Sequence, residues 1–486
     1  MIVTERMYPR RSERWHLRPE GGHGVLFHYD PEALVWYTLS REQTCAWLLM
    51  DGTRTLGELR TILEYLLDDL PTGAPKRLLE ALFEKAGSAQ NAEPFLTVSD
   101  RPEGHRAPAA PPLRQVLERM ERTTVEEFRQ VRRGRLTAPL NLTLMPSNAC
   151  ATDCVYCYSE RVPLAPEEHM PLGRWLEVVE EAAELGVELA VFSGGDPFTY
   201  PHLLPLLEAL LARGFAFVLP TKTYVSPERA RALAAIGMGA VWTQVSLDGL
   251  SEEVLRPMMG VERYGQRAMA TIDHLLGAGL QVRVNCVATP LNYREVPELV
   301  RALRRRGVGR MGVAGYGRSF YRHDDRLFLT AEQMGWLNEV VESLREELAW
   351  EGLTCSVGPR DFTDRSPEER ARDWPERASC SGGRSSFVIT PTGKVTLCEQ
   401  MPVAEAYVAG DLTRQTIREI WNSQRLRDLM DPPRERFAGT PCETCEEYAS
   451  CHQEYGYCFR DALFTYGTVY APPPACPLAP PGVRMG

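Results

Sequence analysis

The 486-residue sequence predicts an α/β fold centred on a partial (β/α)6 barrel of the TIM type. Two observations support this prediction. Short apolar strand-like segments alternate with amphipathic helix-like segments, and consecutive βα units form a parallel sheet that curls toward a barrel. There are six such units, fewer than the eight of a closed barrel, so we expect an open side. The predicted strands are 140–146, 188–194, 215–221, 240–247, 281–288 and 310–315.

The segments on either side of the barrel divide the chain further. Residues 1–86 contain two β-like runs that predict a hairpin, and Ser40 and Thr55 then stand where helix N-caps are expected. This pattern is typical of a small, winged-helix-like α+β domain. Small residues and prolines predict a linker at 87–112. The barrel domain is expected at 113–350, and 351–486 reads as a domain held together by metal, because its cysteines stand among glycines, prolines and turns.

The composition excludes several classes of protein. Apolar residues make up 44%, charged residues 25%, and the net charge is -10, which is unlike the basic surface of nucleic-acid binders. The sequence has neither a long apolar run nor a signal peptide, so we expect a cytoplasmic protein without a membrane partner. In that reducing compartment, thirteen cysteines predict metal binding or catalysis rather than disulfides. Cys45 and Cys286 lie in apolar segments and are expected to be core residues.

Three cysteines follow the first predicted strand directly, in the segment "CATDCVYC": Cys150, Cys154 and Cys157. A four-iron cluster takes four thiolates, so a loop that supplies three leaves one iron open for a small ligand. Structural zinc is the alternative, although it usually takes two CxxC-like pairs. The second strand ends in "FSGGDP", which places two glycines and a carboxylate at the same edge of the barrel.

With these motifs in their order, the chain resembles the radical S-adenosylmethionine (SAM) enzymes. The resemblance implies that the three cysteines hold a [4Fe-4S] cluster whose open iron binds the amine and carboxylate of SAM. The residue before the last cysteine, Tyr156, is aromatic as in the family. The family's glycine-rich turn, which holds the methionine amine, corresponds to Gly194, Gly195 and Asp196. The family usually has Glu where this chain has Asp196.

Further contacts to SAM follow from the same resemblance. The segment "VSLDG" resembles the part of the family that contacts the ribose, which makes Ser246 and Asp248 candidates. Asn285 on the fifth strand and Lys222 after the third are further candidates. A lysine at that position could neutralise the SAM carboxylate, although an exposed lysine is the commoner state.

The tail resembles the seven-cysteine SPASM extension, which binds two auxiliary iron–sulfur clusters. One departure is the six residues before Cys458, where the family has three. The resemblance implies one complete cluster on Cys442, Cys445, Cys451 and Cys476, and a second on Cys380, Cys398 and Cys458. The fourth position of the second cluster is open or filled by another residue, for which Cys355 is a candidate. Two zinc sites are the alternative for the tail.

The N-terminal domain resembles the peptide-chaperone domain of PQQ biosynthesis and the related RiPP recognition elements (RREs), on the hairpin and on "LLMDGTRTLGEL" between two helices. These domains capture the leader of a precursor peptide as an added strand on a sheet edge. The combined resemblances imply a maturase that forms an oxidative thioether or carbon–carbon cross-link in a ribosomally made precursor. They also imply three [4Fe-4S] clusters and an electron donor such as flavodoxin or ferredoxin.

Two alternatives remain at this point. One is an oxidase of a protein Cys or Ser that resembles the sulfatase maturases, supported by Glu399, which follows Cys398 where those enzymes place an acidic base. The other is a non-enzymatic peptide-binding protein on a redox or zinc-stabilised scaffold. The leader-binding resemblance favours peptide substrates over folded sulfatases.

Overall fold

The computed structural model divides into two compact units, Met1–Thr137 and Ala138–Gly486. It describes residues 4–12, 14–30, 33–67, 71, 73–87, 94–102, 112–159, 163–358, 365–377 and 379–480. Within these ranges, no helix is both long enough and apolar enough to cross a membrane.

The first unit contains five strands and five helices among its described residues. The strands are β1 (Tyr8–Arg11), β2 (His16–Glu20), β3 (His23–Asp30), β4 (Ala33–Leu39) and β5 (Leu96–Ser99). The helices are α1 (Arg41–Leu49), α2 (Leu56–Leu66), α3 (Ala74–Gly87), α4 (Leu113–Glu121) and α5 (Val125–Arg132). Strands β2, β3 and β4 form an antiparallel sheet in that order, and β1 pairs with β5.

The predicted hairpin and both predicted helix caps are present in this unit. Strands β3 and β4 pair antiparallel, although the turn residues Pro31 and Glu32 lie outside the described residues. Ser40 and Thr55 each accept a hydrogen bond from the backbone three residues later in complete capping boxes. Cys45 is buried, as predicted. Helix α2 ends at Leu66, and 68–70 lie outside the described residues.

The predicted linker, 87–112, contains ordered structure. Its segments 88–93 and 103–111 lie outside the described residues, but β5 lies between them and pairs with β1. Phe95 is fully buried, and its ring packs edge-on against Trp15 at 5.5 Å between centroids. A short apolar run inside the predicted linker therefore forms a strand that pairs with β1. The proline-rich composition around it did not indicate this strand.

Helices α4 and α5 belong to the first unit, so the boundary falls at Thr137 rather than at the predicted residue 112. Val116, Met120 and Val131 on these helices are buried. At Gly21, which has a positive φ of 56°, an added Cβ would lie 2.5 Å from Val131. The two helices thus contribute apolar side chains to the unit that contains β2, as their helical periodicity permits.

The second unit contains the barrel and the tail. Its strands are β6 (Asn141–Leu144), β7 (Leu189–Phe192), β8 (Val218–Thr221), β9 (Trp242–Ser246), β10 (Gln281–Ala288), β11 (Arg310–Gly315), β12 (Leu353–Ser356), β13 (Ser386–Ile389), β14 (Lys394–Thr396) and β15 (Gly410–Asp411). Its helices are α6 (Leu172–Glu184), α7 (Leu203–Ala212), α8 (Pro227–Ala235), α9 (Glu252–Met259), α10 (Tyr264–Gly277), α11 (Val296–Arg305), α12 (Ala331–Glu347), α13 (Pro367–Asp373), α14 (Ile417–Trp421), α15 (Gln424–Met430) and α16 (Phe459–Tyr466).

The six predicted strands are β6 to β11, and the structure confirms the barrel. Strands β8 to β12 form one parallel sheet, and β6 and β7 pair in a second. A parallel bridge between Leu189 and Ala216 joins the two sheets. The arc is longer than predicted, because β12 adds to one edge and β13 from the tail pairs parallel with β6 at the other.

The tail and the barrel share one apolar core in this unit. That core contains Trp175 from α6, Phe387 from β13 and Trp421 from α14, all of them fully buried. The rings of Phe387 and Trp421 lie 5.9 Å apart. The tail is therefore anchored by apolar packing as well as by whatever its cysteines bind, because β13 extends the barrel sheet.

Helix α5 provides a test of the observed boundary. Val131 is 1% exposed and Val125 is 68% exposed on the same helix. Val131→Ala should lower the free energy of unfolding of the first unit by about 1–3 kcal/mol, because it removes buried apolar surface and leaves a cavity. Val125→Ala should change it by less than about 0.5 kcal/mol. Urea unfolding followed by circular dichroism measures both, and equal effects would contradict the assignment of α5 to this core.

Candidate functional site

The loop that follows β6 carries the three predicted cluster cysteines at the carboxyl edge of the barrel. Its main chain is tied to two neighbouring segments. The amides of Gly195 and Asp196 after β7 donate to the carbonyls of Ser147 and Ala149, at 3.0 and 2.7 Å. The amides of Asp153 and Val155 donate to the carbonyls of Met259 and Met258 at the end of α9, at 2.8 and 3.0 Å. The loop is therefore held in one conformation by main-chain hydrogen bonds.

The three thiols lie within this loop, as predicted. Cys154 is buried, and Cys150 and Cys157 are half-buried. The hydroxyl oxygen of Thr152 lies 3.5 Å from the sulfur of Cys150 and 3.3 Å from that of Cys154. Burial raises the pKa of Cys154, and the charge of Lys222 opposes that shift.

Two glycines and an aspartate follow β7, also as predicted. Gly194 has a positive φ of 89°, and a Cβ on Gly195 would lie 2.2 Å from the carbonyl oxygen of Ala149. Only glycine therefore allows the β7 turn to approach the cysteine loop this closely.

The carboxylate of Asp196 is engaged within the protein. It accepts hydrogen bonds from the amides of Phe198, Lys222 and Thr223, at 2.9, 2.6 and 2.8 Å, and from the hydroxyl of Thr221. The side chain is 3% exposed. The short side chain of Asp196 is thus suited to hold the loop after β8. The contact of the glycine-rich turn with a methionine amine stays a prediction, which rests on Gly194 and Gly195.

Lys222 and Tyr156 face each other near the cysteines. The ammonium of Lys222 lies 5.6 Å from the centre of the Tyr156 ring. Burial lowers the pKa of Lys222, but the charges of Cys154, Asp248 and other neighbours outweigh it, so the pKa is raised overall. This half-buried cation is suited to an anionic ligand, which is the role predicted for it.

Asp248 connects the ends of three segments. It accepts a hydrogen bond from the phenol of Tyr156 and one of 2.6 Å from the amide of Val287 on β10. Burial raises the pKa of Asp248, and Lys222 lowers it. Ser246 and Asn285 occupy paired positions on β9 and β10. The structure thus brings the predicted candidates Tyr156, Lys222 and Asp248 together, with Ser246 and Asn285 on the adjoining strands.

Several residues of this edge were not identified from the sequence. The side-chain amide of Asn292 donates from Nδ2 to the main-chain carbonyl of Asp248 at 2.7 Å. The guanidinium of Arg322 donates to the carbonyls of Asp153 and Cys154, at 2.9 and 3.1 Å, and the hydroxyl of Ser319 donates to that of Cys157 at 3.1 Å. No local motif marks Ser319 or Arg322, because their partners lie about 160 residues away in the sequence.

The tail brings one predicted group of four cysteines together. The pKa of Cys442 is raised to about 12, first by burial and then by three neighbouring thiols, those of Cys476, Cys451 and Cys445. Four thiols so placed cannot all ionise without a nearby cation. The donor set therefore fits a metal cluster, which deprotonates the thiols it binds.

Members of the second predicted group, Cys380, Cys398 and Cys458, are affected by some of the same charged side chains. The charge of Cys380 acts on Cys398, and Arg460 acts on both Cys398 and Cys458. Cys355 does not join them, because it is part of β12 in the barrel, where its charge acts on the buried Cys286. Cys286 is fully buried, as predicted for a core residue. Three thiols leave one position of a four-iron cluster for another ligand.

The described ranges contain no three His, Cys, Asp or Glu side chains close enough to share one metal ion. A single zinc requires every sulfur about 2.3 Å from one centre.

Glu399 lies between the tail and the cysteine loop. Ser193, which precedes the two glycines, acts to lower the pKa of the nearby Glu399 carboxyl, and its hydroxyl lies 2.8 Å from the phenol oxygen of Tyr158. Burial raises the pKa of Glu399. A carboxyl group in this position is able to accept a proton at the mouth of the barrel.

Comparison with family models and known proteins identifies the second unit. Residues 144–303 match the radical SAM superfamily, and residues 380–451 match the SPASM iron–sulfur cluster-binding domain. The chain is a radical SAM enzyme with a SPASM domain. This confirms the resemblances stated for the barrel and the tail, and it rules out the non-enzymatic scaffold. The SPASM match ends at Cys451, so Cys458 and Cys476 lie beyond it.

The chain is also similar to characterised proteins. It is 24% identical over 354 residues to the PqqA peptide cyclase of Gluconobacter oxydans and 26% identical over 352 residues to that of Streptomyces rochei. These alignments cover 70% and 71% of this chain, and 91% and 90% of the relatives. Among solved structures, Streptococcus suis SuiB bound to S-adenosylmethionine has a TM-score of 0.62 at 16% identity, over 97% of this chain and 98% of SuiB. SuiB bound to the precursor peptide SuiA gives 0.62 at 17%, over 96% and 98%.

The close approach at Gly195 can be tested against a matched glycine. Gly195→Ala places a Cβ against the Ala149 carbonyl, so the cysteine loop must shift. We expect at least a tenfold weaker binding of SAM by the reconstituted protein, measured by anaerobic calorimetry, because displaced ligands lose affinity. Gly173→Ala on α6, where a Cβ meets nothing within 4 Å, is the control and should bind SAM normally. Unchanged SAM binding by Gly195→Ala would contradict the geometry.

Proposed function

We propose that this radical SAM enzyme forms an oxidative cross-link, thioether or carbon–carbon, in a ribosomally made precursor peptide. The observation that carries the proposal is the presence in one compact unit of the three-cysteine loop and two further groups of cysteines. The similarity to the PqqA peptide cyclases, and the SuiB structure with a bound precursor peptide, support a peptide substrate.

The residues fit three [4Fe-4S] clusters. Cys150, Cys154 and Cys157 would hold the first, which together with SAM supplies the radical that removes a hydrogen atom from the substrate. The two tail groups would hold the auxiliary clusters, with Cys442, Cys445, Cys451 and Cys476 on one and Cys380, Cys398 and Cys458 on the other. Lys222 would face the SAM carboxylate, and Asp248, held by Tyr156, would lie toward the ribose.

Forming one link removes two hydrogens from the peptide. One leaves as an atom, and the other leaves as a proton and an electron. Glu399 would accept the proton, because its carboxylate lies beside Ser193 at the mouth of the barrel and its pKa is raised by burial. The auxiliary clusters would accept the electron or bind the peptide.

Glu399 also favours the second candidate, oxidation of a protein Cys or Ser as in the sulfatase maturases, since an acidic base follows the cluster cysteine there as well. We place the reaction in the cytoplasm, because the proposed clusters use ten of the thirteen cysteines as thiolates, which a reducing compartment protects from disulfide formation. An electron donor such as flavodoxin or ferredoxin would reduce the first cluster.

The reaction is tested with the anaerobically reconstituted enzyme, SAM, a reductant and a precursor peptide encoded beside the gene. We expect about twelve irons per chain, formation of 5'-deoxyadenosine, and a product about 2 Da lighter per link. Replacing Cys150, Cys154 and Cys157 together by Ala should abolish the product and remove about four irons. An unchanged peptide mass with full iron content would contradict cross-link formation.

The first unit is proposed to bind the leader of that precursor. Its β2–β3–β4 sheet has two edge strands. Helix α4 contacts β2, whereas β4 pairs with β3 alone among the described strands, and Lys85 of α3 donates to the carbonyl of Thr38 on β4 at 2.5 Å. An extended leader can add to such an edge through main-chain hydrogen bonds.

Leader binding at β4 predicts a pattern of hydrogen exchange in the full-length protein. On addition of the leader peptide, exchange of those amides of Ala33–Leu39 that point away from β3 should slow at least tenfold, because the leader would accept their hydrogen bonds. Exchange in β2, His16–Glu20, serves as the internal control and should not change. Slowing in β2 alone would place the leader on the opposite edge, and slowing in neither strand would contradict leader binding by this sheet.

A further inference from the structure

A π-helix connects the two auxiliary ligand groups of the tail. It spans Ser450–Tyr455, so that Cys451 lies at its start and Cys458 follows three residues after its end. Each of these cysteines belongs to a different predicted cluster. The π-helix occupies most of the six-residue spacing that departs from the three residues typical of SPASM domains. Helices of this type are rare and occur frequently at functional sites.

The end of this π-helix is closed by one buried guanidinium. Arg384 is 2% exposed and lies four residues after Cys380. It donates to three successive carbonyls: that of His452, that of Gln453 at 2.6 Å and that of Glu454 at 3.5 Å. The last carbonyls of a helix have no partner within the helix. Arg384 therefore supplies the hydrogen bonds that the inserted turn lacks.

The main chain beside Arg384 is fixed to the same end of the π-helix. The amide of Cys380 donates to the carbonyl of Tyr455 at 3.0 Å. Gly456 follows with a positive φ of 74°, and a Cβ there would lie 2.8 Å from Nε of Arg384 and 3.1 Å from Cβ of Cys380. The exit of the π-helix is thus packed directly against the segment that carries the first ligand of the other group.

One thiol of each group acts electrostatically on Arg384. Burial lowers the pKa of Arg384, while the charges of Cys380, Asp431 and Cys451 raise it. Two of these three neighbours are predicted ligands of different clusters. A positive group in this position favours thiolate ligands on both sides.

We propose that Arg384 is a positioning residue that holds the ligand segments of the two auxiliary clusters in register across the inserted π-helix. It fixes Cys380 and, through Gly456, Cys458 relative to Cys451. Outer partners of this kind orient metal ligands, and their loss weakens metal binding 10- to 100-fold. The proposal rests on the assignment of two auxiliary clusters in the proposed function.

The test compares iron content and electron paramagnetic resonance spectra of reconstituted variants. Arg384→Met removes the guanidinium, and Arg384→Lys keeps its charge but not its fork of donors. Arg425→Met is the control for lost hydrogen bonds, because Arg425, although exposed, also donates to three carbonyls, those of Glu405, Ala406 and Val408. The signal of the first cluster, shifted by added SAM, reports whether the barrel is folded.

We expect Arg384→Met to lose about four of about twelve irons while the SAM-shifted signal remains. Arg384→Lys should recover part of the lost iron, and Arg425→Met should retain all of it. Full iron and unchanged spectra in Arg384→Met would overturn the proposal. Loss of all clusters together, or an equal loss in Arg425→Met, would also overturn it, because either result indicates a general structural role.

A second comparison tests the link to the insertion. Deleting residues 453–455 restores the spacing typical of SPASM domains and removes most of the carbonyls that Arg384 contacts. In that background, Arg384→Met should cause no further loss of iron, and a loss as large as in the full-length chain would overturn the role across the insertion. Only about four irons in the unaltered protein would instead refute the auxiliary clusters themselves, a result distinct from failure of the Arg384 proposal.

Discussion

The second unit depends on the close contact between the cysteine loop and the turn that follows β7. Gly195 lies so near the Ala149 carbonyl that a methyl group would not fit between them, and the amides of Gly195 and Asp196 hold the loop from that side. The end of α9 holds it from another side, and Arg322 bonds its carbonyls. Three thiols can remain in place for a reactive cluster only because the main chain around them is fixed.

The same edge also determines the electrostatics of the site. Asp196 uses its carboxylate to hold the backbone of Lys222, and Lys222 in turn places its charge near Cys154, Asp248 and the ring of Tyr156. Asp196, which was expected to contact SAM, thus mainly holds the backbone of Lys222. The shorter aspartate side chain is consistent with this arrangement, since it reaches the amides of the next loop directly.

The tail positions its cysteines differently from the barrel. Its cysteines stand in short helices and turns, yet β13 continues the barrel sheet and Trp421 packs in the shared core. Apolar packing therefore anchors the tail, while the positions of its thiols depend on local devices such as Arg384 and the π-helix. The buried guanidinium of Arg384 donates to the carbonyls of His452 and Gln453 within the six residues that precede Cys458.

The sequence by itself determined the α/β class, the six barrel strands, the hairpin with its two capped helices, and the family of the barrel and tail. These features depend on local periodicity, on capping residues and on cysteine spacing, all of which are readable along the chain. Only the tertiary structure decided the placement of α4 and α5, the pairing of β5 inside the predicted linker, and the position of Cys355 in the barrel rather than beside Cys398. The contacts of Arg322 and Arg384 belong to the same group. Their partners are backbone carbonyls distant in sequence, and a carbonyl carries no residue-specific signal from which such a contact could be predicted.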